Sequence, residues 1–556
     1  MIERFVPRVD FDSYEDFKES YRVTVPDDFN FAYSVMDQWA VDKPDGKALY
    51  YCNDEGNDRV YTFAEIKRLS DKTANVFKSH GIKKGDKVIL ILMQRVEVWL
   101  CMLALQKIGA ITIPVTYLVT PKDIIYRCNE SEATALVSVD SDEVVKHILD
   151  ARGECKTLKW VGIVGDRIPE GCIDFRKETE NASADWQRPT GDEATKPSDP
   201  MLIYFSSGTS GMPKMILHDF AHPLGQIVTA KYWHRVEEGT LHLVAADSGW
   251  AKFGWGKIFG QWICGATIVA YDTKKFSAHD MLSTIERLKL TTFCAPPTVY
   301  RFLIKEDLTK YDLSSIKHCT IAGEPLNPEV YYKWKELTGL ELREGFGQSE
   351  TSVILANFEW LEVKPGSTGK PAPIYDIDIV DDNGESCEDG VVGRLVIKNT
   401  DKSFPVGLFR EYYKAPEANA KAWHAGTYDT GDTAWRDGDG YFWFHGRSDD
   451  VIKCSGYRIG PFEVENAIMT HPSVLECAVT AAPDPVRGQV VKATIVLTKG
   501  YEPSEELKKE IQNHVKKVTA PYKYPRIVEF VTELPKTTSG KIRRVEIRQN
   551  DNMKNS

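Results

Sequence analysis

The chain has no cysteine pair in a Cys-x-x-Cys arrangement. Its eleven cysteines are scattered through 556 residues. They show none of the spacings that hold zinc or build a disulfide framework, so they read as reduced thiols. Long apolar runs are missing as well. The longest, Val98–Leu105, is too short to span a bilayer. The opening Met1-Ile-Glu-Arg-Phe-Val-Pro7 lacks the apolar core of a secretory leader. There is no excess of positive charge: 70 Lys and Arg against 81 Asp and Glu leave a net −11. Nothing global therefore favours nucleic acid or an anionic membrane. Internal repeats and low-complexity tracts are absent, and no Gly-x4-Gly-Lys-Ser/Thr loop occurs, which excludes a Walker A site. The expectation is a cytoplasmic enzyme with no nucleic-acid partner and no stable membrane insertion.

What the chain does have is the composition of a globular enzyme, 42% hydrophobic and 27% charged residues. Its length calls for two or more domains. Lys516-Lys517 and Lys541-Ile-Arg543-Arg544 make the C-terminal end locally basic. Such a face suits an anionic ligand, and equally a solvated surface.

The stretch Tyr204-Phe-Ser-Ser-Gly-Thr-Ser-Gly-Met-Pro-Lys-Met215 organises the rest. Met201–Phe205 is apolar and β-prone, a buried strand. It runs into Ser206, Ser207, Gly208, Thr209, Ser210 and Gly211. Two glycines let backbone N–H groups turn toward one point, the hydroxyls add donors, and Lys214 adds a cation. This is a phosphate-gripping loop; its structural alternative is a Ser/Gly surface turn.

In chain order, residues 1–60 read as an entry segment with short helices. Thr62 and Glu65 form a capping box for a helix. Lys87–Met93 is a strand, Val96–Ile108 a helix closed by Gly109, and Ala133–Val139 another strand. Glu178–Pro200 is a polar loop. Strands follow at Leu241–Ala246, Thr267–Tyr271, Thr291–Ala295 and Ile316–Ile321. Between and after them come helices near Trp255–Cys264, at Ser277–Leu288 and at Pro328–Leu337. This alternation predicts an α/β architecture around a mostly parallel sheet, with ligands at the carboxyl ends of strands. The phosphate loop, Gly323-Glu324-Pro325 and Glu344-Gly345-Phe346-Gly347-Gln348-Ser349-Glu350-Thr351 are expected to meet there. From Pro365 the strands Tyr375–Val380, Gly393–Lys398 and Tyr441–His445 alternate, predicting a small antiparallel or barrel-like unit. A last α+β region holds a helix near Pro461–Met469, strands Val474–Ala481 and Val490–Leu497, a helix near Ser504–Val518 and strand Ile527–Val531. It is long enough to form its own domain. The expected division is 1–448 and 449–556.

Seven motifs then occur in one order: Ser206–Lys214, Gly323-Glu-Pro-Leu326, Gly345–Thr351, Tyr428-Asp-Thr-Gly-Asp432, Gly446-Arg-Ser-Asp-Asp-Val-Ile452, Ser455-Gly-Tyr-Arg458 and Pro535–Lys541. Over nearly the whole chain this resembles the adenylate-forming superfamily, which includes acyl-CoA synthetases, luciferases and peptide-synthetase adenylation domains. The likeness is greatest to medium-chain acyl-CoA synthetases, or butyrate–CoA ligases, through Cys294-Ala-Pro-Pro297, Ala322–Pro328, Glu344–Gln348 and Ser455–Glu463.

The resemblance implies a two-step reaction. A carboxylate attacks the α-phosphate of ATP to give acyl-AMP and pyrophosphate, and CoA then takes the acyl group and releases AMP. It implies that Ser206–Lys214 grips the β- and γ-phosphates, with Glu350 as the Mg2+ ligand. Ser349 stands where the family has Thr. Asp432 would bind the ribose, Arg447 the ribose or phosphate side, and Arg458 the acyl or phosphate side. Lys541 would drive adenylation by bridging the carboxylate and α-phosphate. The smaller domain is implied to be mobile about a hinge at Asp449. Ser455-Gly456-Tyr457 would then line the pantetheine path, with Arg487, Lys516 and Tyr524 as CoA contacts. Gly249–Gly256 matches the acyl-pocket segment, with Trp250, Trp255 and Gly323 shaping the cavity for a short, medium-chain or branched acid. An acetyltransferase and deacetylase acting on Lys541 are possible partners, because a neutral amide there could not supply the cation. Two other readings stay open: an adenylating enzyme that loads a separate carrier protein or acts like a luciferase, and a non-catalytic nucleotide-binding regulator.

Overall fold

Thr62 opens the longest helix, Phe63–Ser79: its hydroxyl accepts the Glu65 N–H while the Glu65 carboxylate accepts the Thr62 N–H. Such local signals fix much of the chain in the computed structural model. It describes residues 1–206, 212–273, 275–324, 326–454, 457–484, 487–536 and 542–555, with 458 and 552–555 as backbone only. Helix Glu97–Ile108 stops at Gly109, and helix Pro328–Thr338 stops at Gly339, whose left-handed φ of 74° suits glycine. Ser277 caps Ala278–Leu288 through the Asp280 N–H.

The strands form two large sheets where the alternation suggested one. In the eight-stranded sheet the order is Glu411–Tyr413, Met215–Asp219, Pro200–Phe205, Ile111–Pro114, Lys87–Ile91, Ala135–Val139, Trp160–Val164 and Ile173–Asp174. The nine-stranded sheet has a parallel middle running from Leu342–Gly347 through His318–Ile321, Thr292–Ala295, Leu241–Val244 and Thr267–Asp272 to Lys47–Asn53. Lys47–Asn53 corrects the expectation of short helices alone in residues 1–60. It is a strand because its apolar side chains pair with Thr267–Asp272 from far along the chain. The helix expected near Trp255–Cys264 is two short helices, Ala251–Gly256 and Phe259–Ile263.

The phosphate loop joins Pro200–Phe205 to Met215–Asp219, which pair antiparallel. It therefore sits at the carboxyl end of Pro200–Phe205, as expected, and leads into an antiparallel partner strand. Glu344 to Gly347 lie within the strand Leu342–Gly347. A third sheet, Asp376–Val380, Gly393–Lys398, Thr427–Arg436, Trp423–His424 and Phe442–Arg447, is antiparallel throughout. The C-terminal strands Ile452–Cys454, Tyr457–Ile459, Val474–Asp484, Gly488–Leu497 and Ile527–Val531 make a fourth sheet with its own apolar core of Ile459, Val464, Ile468, Val479, Ile495 and Ile511. No helix among the described residues is long and apolar enough to cross a membrane.

Candidate functional site

The hairpin loop is closed at its base by two bonds. The Ser206 N–H donates to the Lys214 carbonyl, and the Lys214 N–H donates to the Ser206 hydroxyl oxygen, both at 2.8 Å. Ser206 therefore shapes the loop as well as bordering it. The Lys214 ammonium lies 4.2 Å from the centre of the Tyr412 ring. Desolvation lowers the Lys214 pKa, and the nearby Glu350 carboxylate opposes that shift. Glu350 Oε1 accepts the Tyr412 hydroxyl at 2.9 Å. Across the hairpin, His218 Nε2–H donates to the Ser349 carbonyl at 2.8 Å, while its buried Nδ1 has no partner among the described residues. Burial holds the His218 pKa down to about 4, so this ring is neutral.

A second group of the expected site residues is built on the antiparallel sheet. Asp432, only 3% exposed, accepts Gln348 Nε2 at 2.6 Å and lies 3.4 Å from Arg447 Nη1. Gln348 also donates to the Thr430 carbonyl at 2.7 Å and accepts the Tyr428 hydroxyl at 3.0 Å. Desolvation works to lower the Arg447 pKa, but Asp432, Asp449 and Glu350 together raise it, so the guanidinium stays charged. Arg447 Nε is 3.6 Å from Asp449, which links the ribose-side carboxylate to the expected hinge. One network thus runs from the phosphate hairpin to the edge of the C-terminal sheet.

Gly323 has a φ of 106°, a left-handed value, and Glu324 turns aside to accept the Thr298 hydroxyl at 3.0 Å, with Arg301 at 3.7 Å. Lys252, in the acyl-pocket segment, donates to the Ala322 carbonyl at 2.7 Å and so ties that segment to the Gly323 turn. Trp250 is half-buried at the start of the segment. Trp255 is buried, and its indole N–H donates to the Thr351 carbonyl at 3.0 Å. A Cβ on Gly347 would come within 2.3 Å of the Trp255 ring, so only glycine lets the indole seat against the nucleotide strand. Gly345 stands in the same relation to Trp233. Phe346 packs on Phe444, and buried Thr351 donates its hydroxyl to the Ser352 carbonyl.

Ser207, Gly208, Thr209, Ser210, Gly211, Pro325, Ser455, Gly456 and Lys541 lie outside the described residues, as does the Arg458 side chain. The Lys541 loop is anchored at its base, where the Arg543 N–H donates to the Pro535 carbonyl at 2.8 Å and Lys536 pairs with Glu476. Tyr457 stacks on Tyr522 at 4.2 Å, and Lys516 lies 4.1 Å above the Tyr524 ring. Arg487 begins the neighbouring turn, its N–H donating to Asp484. Of these residues Tyr457, Tyr522 and Lys516 are exposed, whereas Tyr524 and Arg487 are half-buried.

For a metal, the described residues offer no cluster of three or more His, Cys, Asp or Glu. Glu350 alone, beside the phosphate hairpin, fits Mg2+, which is usually held by one or two carboxylates, substrate phosphates and water. Tyr412, Tyr428 and Lys252 escaped sequence reasoning. Tyr428 lies inside a quoted motif, but nothing around Tyr412 marks it.

The chain matches the model of AMP-binding enzymes over residues 36–413 and that of the AMP-binding enzyme C-terminal domain over 463–541. It is 42% identical over 554 residues to acyl-coenzyme A synthetase ACSM3, mitochondrial, of Homo sapiens, covering 97% of this chain and 93% of the relative. It is 41% identical over 539 residues to human acyl-coenzyme A synthetase ACSM5, mitochondrial, covering 95% and 92%. The anthranilate CoA ligase AuaEII in complex with anthranoyl-AMP superposes with a TM-score of 0.87 at 29% identity, over 96% of this chain and 99% of that one. A benzoate CoA ligase from Burkholderia xenovorans LB400 does so with 0.81 at 26%, over 94% and 100%. A large α/β domain followed by a smaller α+β domain, each matching its family model, makes this an adenylate-forming enzyme, and the chain belongs to the AMP-binding enzyme family. Within it, the protein is an AMP-forming acyl-CoA synthetase, with ATP, CoA and a carboxylic acid as substrates.

Proposed function

We propose that this synthetase activates a short, medium-chain or branched carboxylic acid, with Mg2+ and the residues above in the following roles. The observation that carries the reading is the pairing of one group, Lys214 and Glu350, with a second, Asp432 and Gln348. A nucleoside triphosphate needs a cation and a metal carboxylate at its phosphates and a short acceptor at its ribose. Attack of a carboxylate on a phosphate brings two anions together, so charge neutralisation dominates the barrier. Lys214 and the hairpin N–H groups hold the β- and γ-phosphates. Mg2+, when bound, neutralises the phosphate oxygens and the departing pyrophosphate. Glu350 holds it, Ser349 contributes its hydroxyl, and Asp432 fixes the ribose with Arg447 beside it. Lys541 and Arg458 complete the site from the domain 449–556, which swings about Asp449 after adenylation. Ser455-Gly456-Tyr457 then lines the thiol's path, and the face of Arg487, Lys516 and Tyr524 receives the CoA nucleotide.

Trp250 and Trp255 shorten the acyl cavity. An apolar wall separates acids differing by one methylene by only ~1–3 kcal/mol, so the range is broad. Free thiols throughout support the cytoplasm as the working compartment, although the curated relatives are named mitochondrial. Acetylation of Lys541 would remove the cation and silence adenylation.

The test is AMP formation with CoA across acetate, butyrate, 2-methylbutyrate, octanoate and benzoate. Turnover greatest for a short, medium or branched acid is the expected result. Turnover confined to benzoate would overturn the substrate class.

A further inference from the structure

Strand Glu411–Tyr413 is a three-residue edge strand, paired with Met215–Asp219 immediately after the phosphate hairpin. Tyr412, opposite Ile216, is buried. Its backbone is clamped on the open side by one residue: Asn419 Oδ1 accepts the Tyr412 N–H at 2.7 Å, and Asn419 Nδ2 donates to the Tyr412 carbonyl at 2.9 Å. The amide thus stands in for a neighbouring strand and leaves the tyrosine little freedom. Phe409, 4.8 Å away, packs against its ring, and the Phe409 N–H donates to the Glu350 carbonyl at 2.7 Å. Such a scaffold exceeds what filling a core requires, and it aims two chemically distinct surfaces. The ring face lies under the Lys214 ammonium at 4.2 Å, and the hydroxyl meets Glu350 Oε1 at 2.9 Å.

We propose that Tyr412 is a positioning residue of the phosphate subsite, its ring locating the Lys214 cation and its hydroxyl fixing the Glu350 carboxylate for the metal. The proposal rests on the reading of Glu350 given above.

A proton count refines it. The Tyr428 hydroxyl donates to Gln348 Oε1 at 3.0 Å. Gln348 Oε1 can only accept, since the amide's N–H groups already serve Thr430 and Asp432. An ionised Glu350 can only accept as well. Each hydroxyl hydrogen therefore has one acceptor, Glu350 for Tyr412 and Gln348 for Tyr428. Tyr412 serves the phosphates, whereas Tyr428 serves Gln348 and through it the ribose-side Asp432.

The experiment compares Tyr412→Phe, Tyr428→Phe and Glu350→Gln with the parent enzyme by calorimetric titration of ATP, with and without Mg2+, and of AMP. Tyr412→Phe keeps the ring and loses the donor. ATP affinity without Mg2+ should be unchanged, and the gain on adding Mg2+ should shrink about tenfold, the worth of one hydrogen bond to a charged group. Tyr428→Phe should weaken AMP and leave the Mg2+ gain in place. A full Mg2+ gain in Tyr412→Phe, alongside its loss in Glu350→Gln, overturns the tyrosine assignment alone. A full gain in Glu350→Gln overturns the reading of Glu350 and this inference with it. Equal AMP losses in both tyrosine variants, with the Mg2+ gain intact, make the pair structural support only and also overturn it.

Discussion

Glu344 sits on strand Leu342–Gly347 with 4% exposure and one carboxyl oxygen that has no hydrogen-bond partner among the described residues. Burial pushes its pKa from 4.5 up to about 8, against the pull of the Leu326 N–H. At neutral pH it is therefore a carboxylic acid that pins Leu326, next to the Gly323 turn, and not an anion facing nucleotide. Between pH 4.5 and 8 the folded protein holds a proton that the unfolded chain releases, so stability falls as pH rises through that window, and the loss is complete above 8. Glu344→Gln should flatten the urea-unfolding stability profile over this range and leave the variant the more stable protein at pH 9. An unchanged profile would count against a neutral Glu344. Asp432 presents the opposite chemistry, since Gln348 Nε2 at 2.6 Å and Arg447 favour its charge. Asp432→Asn, which keeps an acceptor for Gln348, should raise KM for ATP roughly 10-fold, as expected for a hydrogen bond to a charged group, with the unfolding midpoint little changed.

Among elements, those governed by neighbouring residues were legible. Patterning placed Gly393–Lys398 and Ile527–Val531 as they stand and a helix near Pro461–Met469, while the Thr62–Glu65 capping box, Ser277 and Gly109 marked helix ends elsewhere. Partnership between strands was not legible, because each buried parallel strand carries the same apolar run whichever sheet receives it. Hence one expected sheet is two, and Lys47–Asn53 was read as part of a helical entry segment. Likewise Asp432 and Glu350 sit in recognisable motifs, whereas Tyr412 meets Glu350 from 62 residues away on a strand without a motif. Helix Glu97–Ile108 supplies a further element that periodicity alone conceals. Lys107, on its last turn, has a fully buried side chain bonded to Asp71 and to Asp37 at 2.8 Å, while Lys67 reaches Asp71 from helix Phe63–Ser79. Lys107→Met leaves buried carboxylates short of a cation and should cost about 3–5 kcal/mol in urea unfolding. Adding Asp71→Asn should recover part of that loss, and strict additivity of the two costs would speak against the pairing.

At the scale of the molecule, the C-terminal sheet has a core separate from the large domain, and the segment between them runs through Arg447, Asp449 and Asp450. If the halves reorient there, fixing φ at one residue should block one half-reaction and spare the other. Asp449→Pro should keep acid-dependent pyrophosphate release and lose thioester formation, with Asp449→Ala as the control for the lost 3.6 Å ion pair. Lys541→Ala should do the reverse, cutting adenylation by roughly 10²–10³ while still converting supplied acyl-AMP to thioester. Trp255 binds the two sides of the large domain together, since its ring rests on Gly347 and its indole N–H holds the Thr351 carbonyl. On the acyl-pocket role proposed for Trp255, selectivity for the acid and the seating of the strand Leu342–Gly347 are not independent dials: a protein engineer who hollows out Trp255 to admit bulkier acids will also loosen that strand.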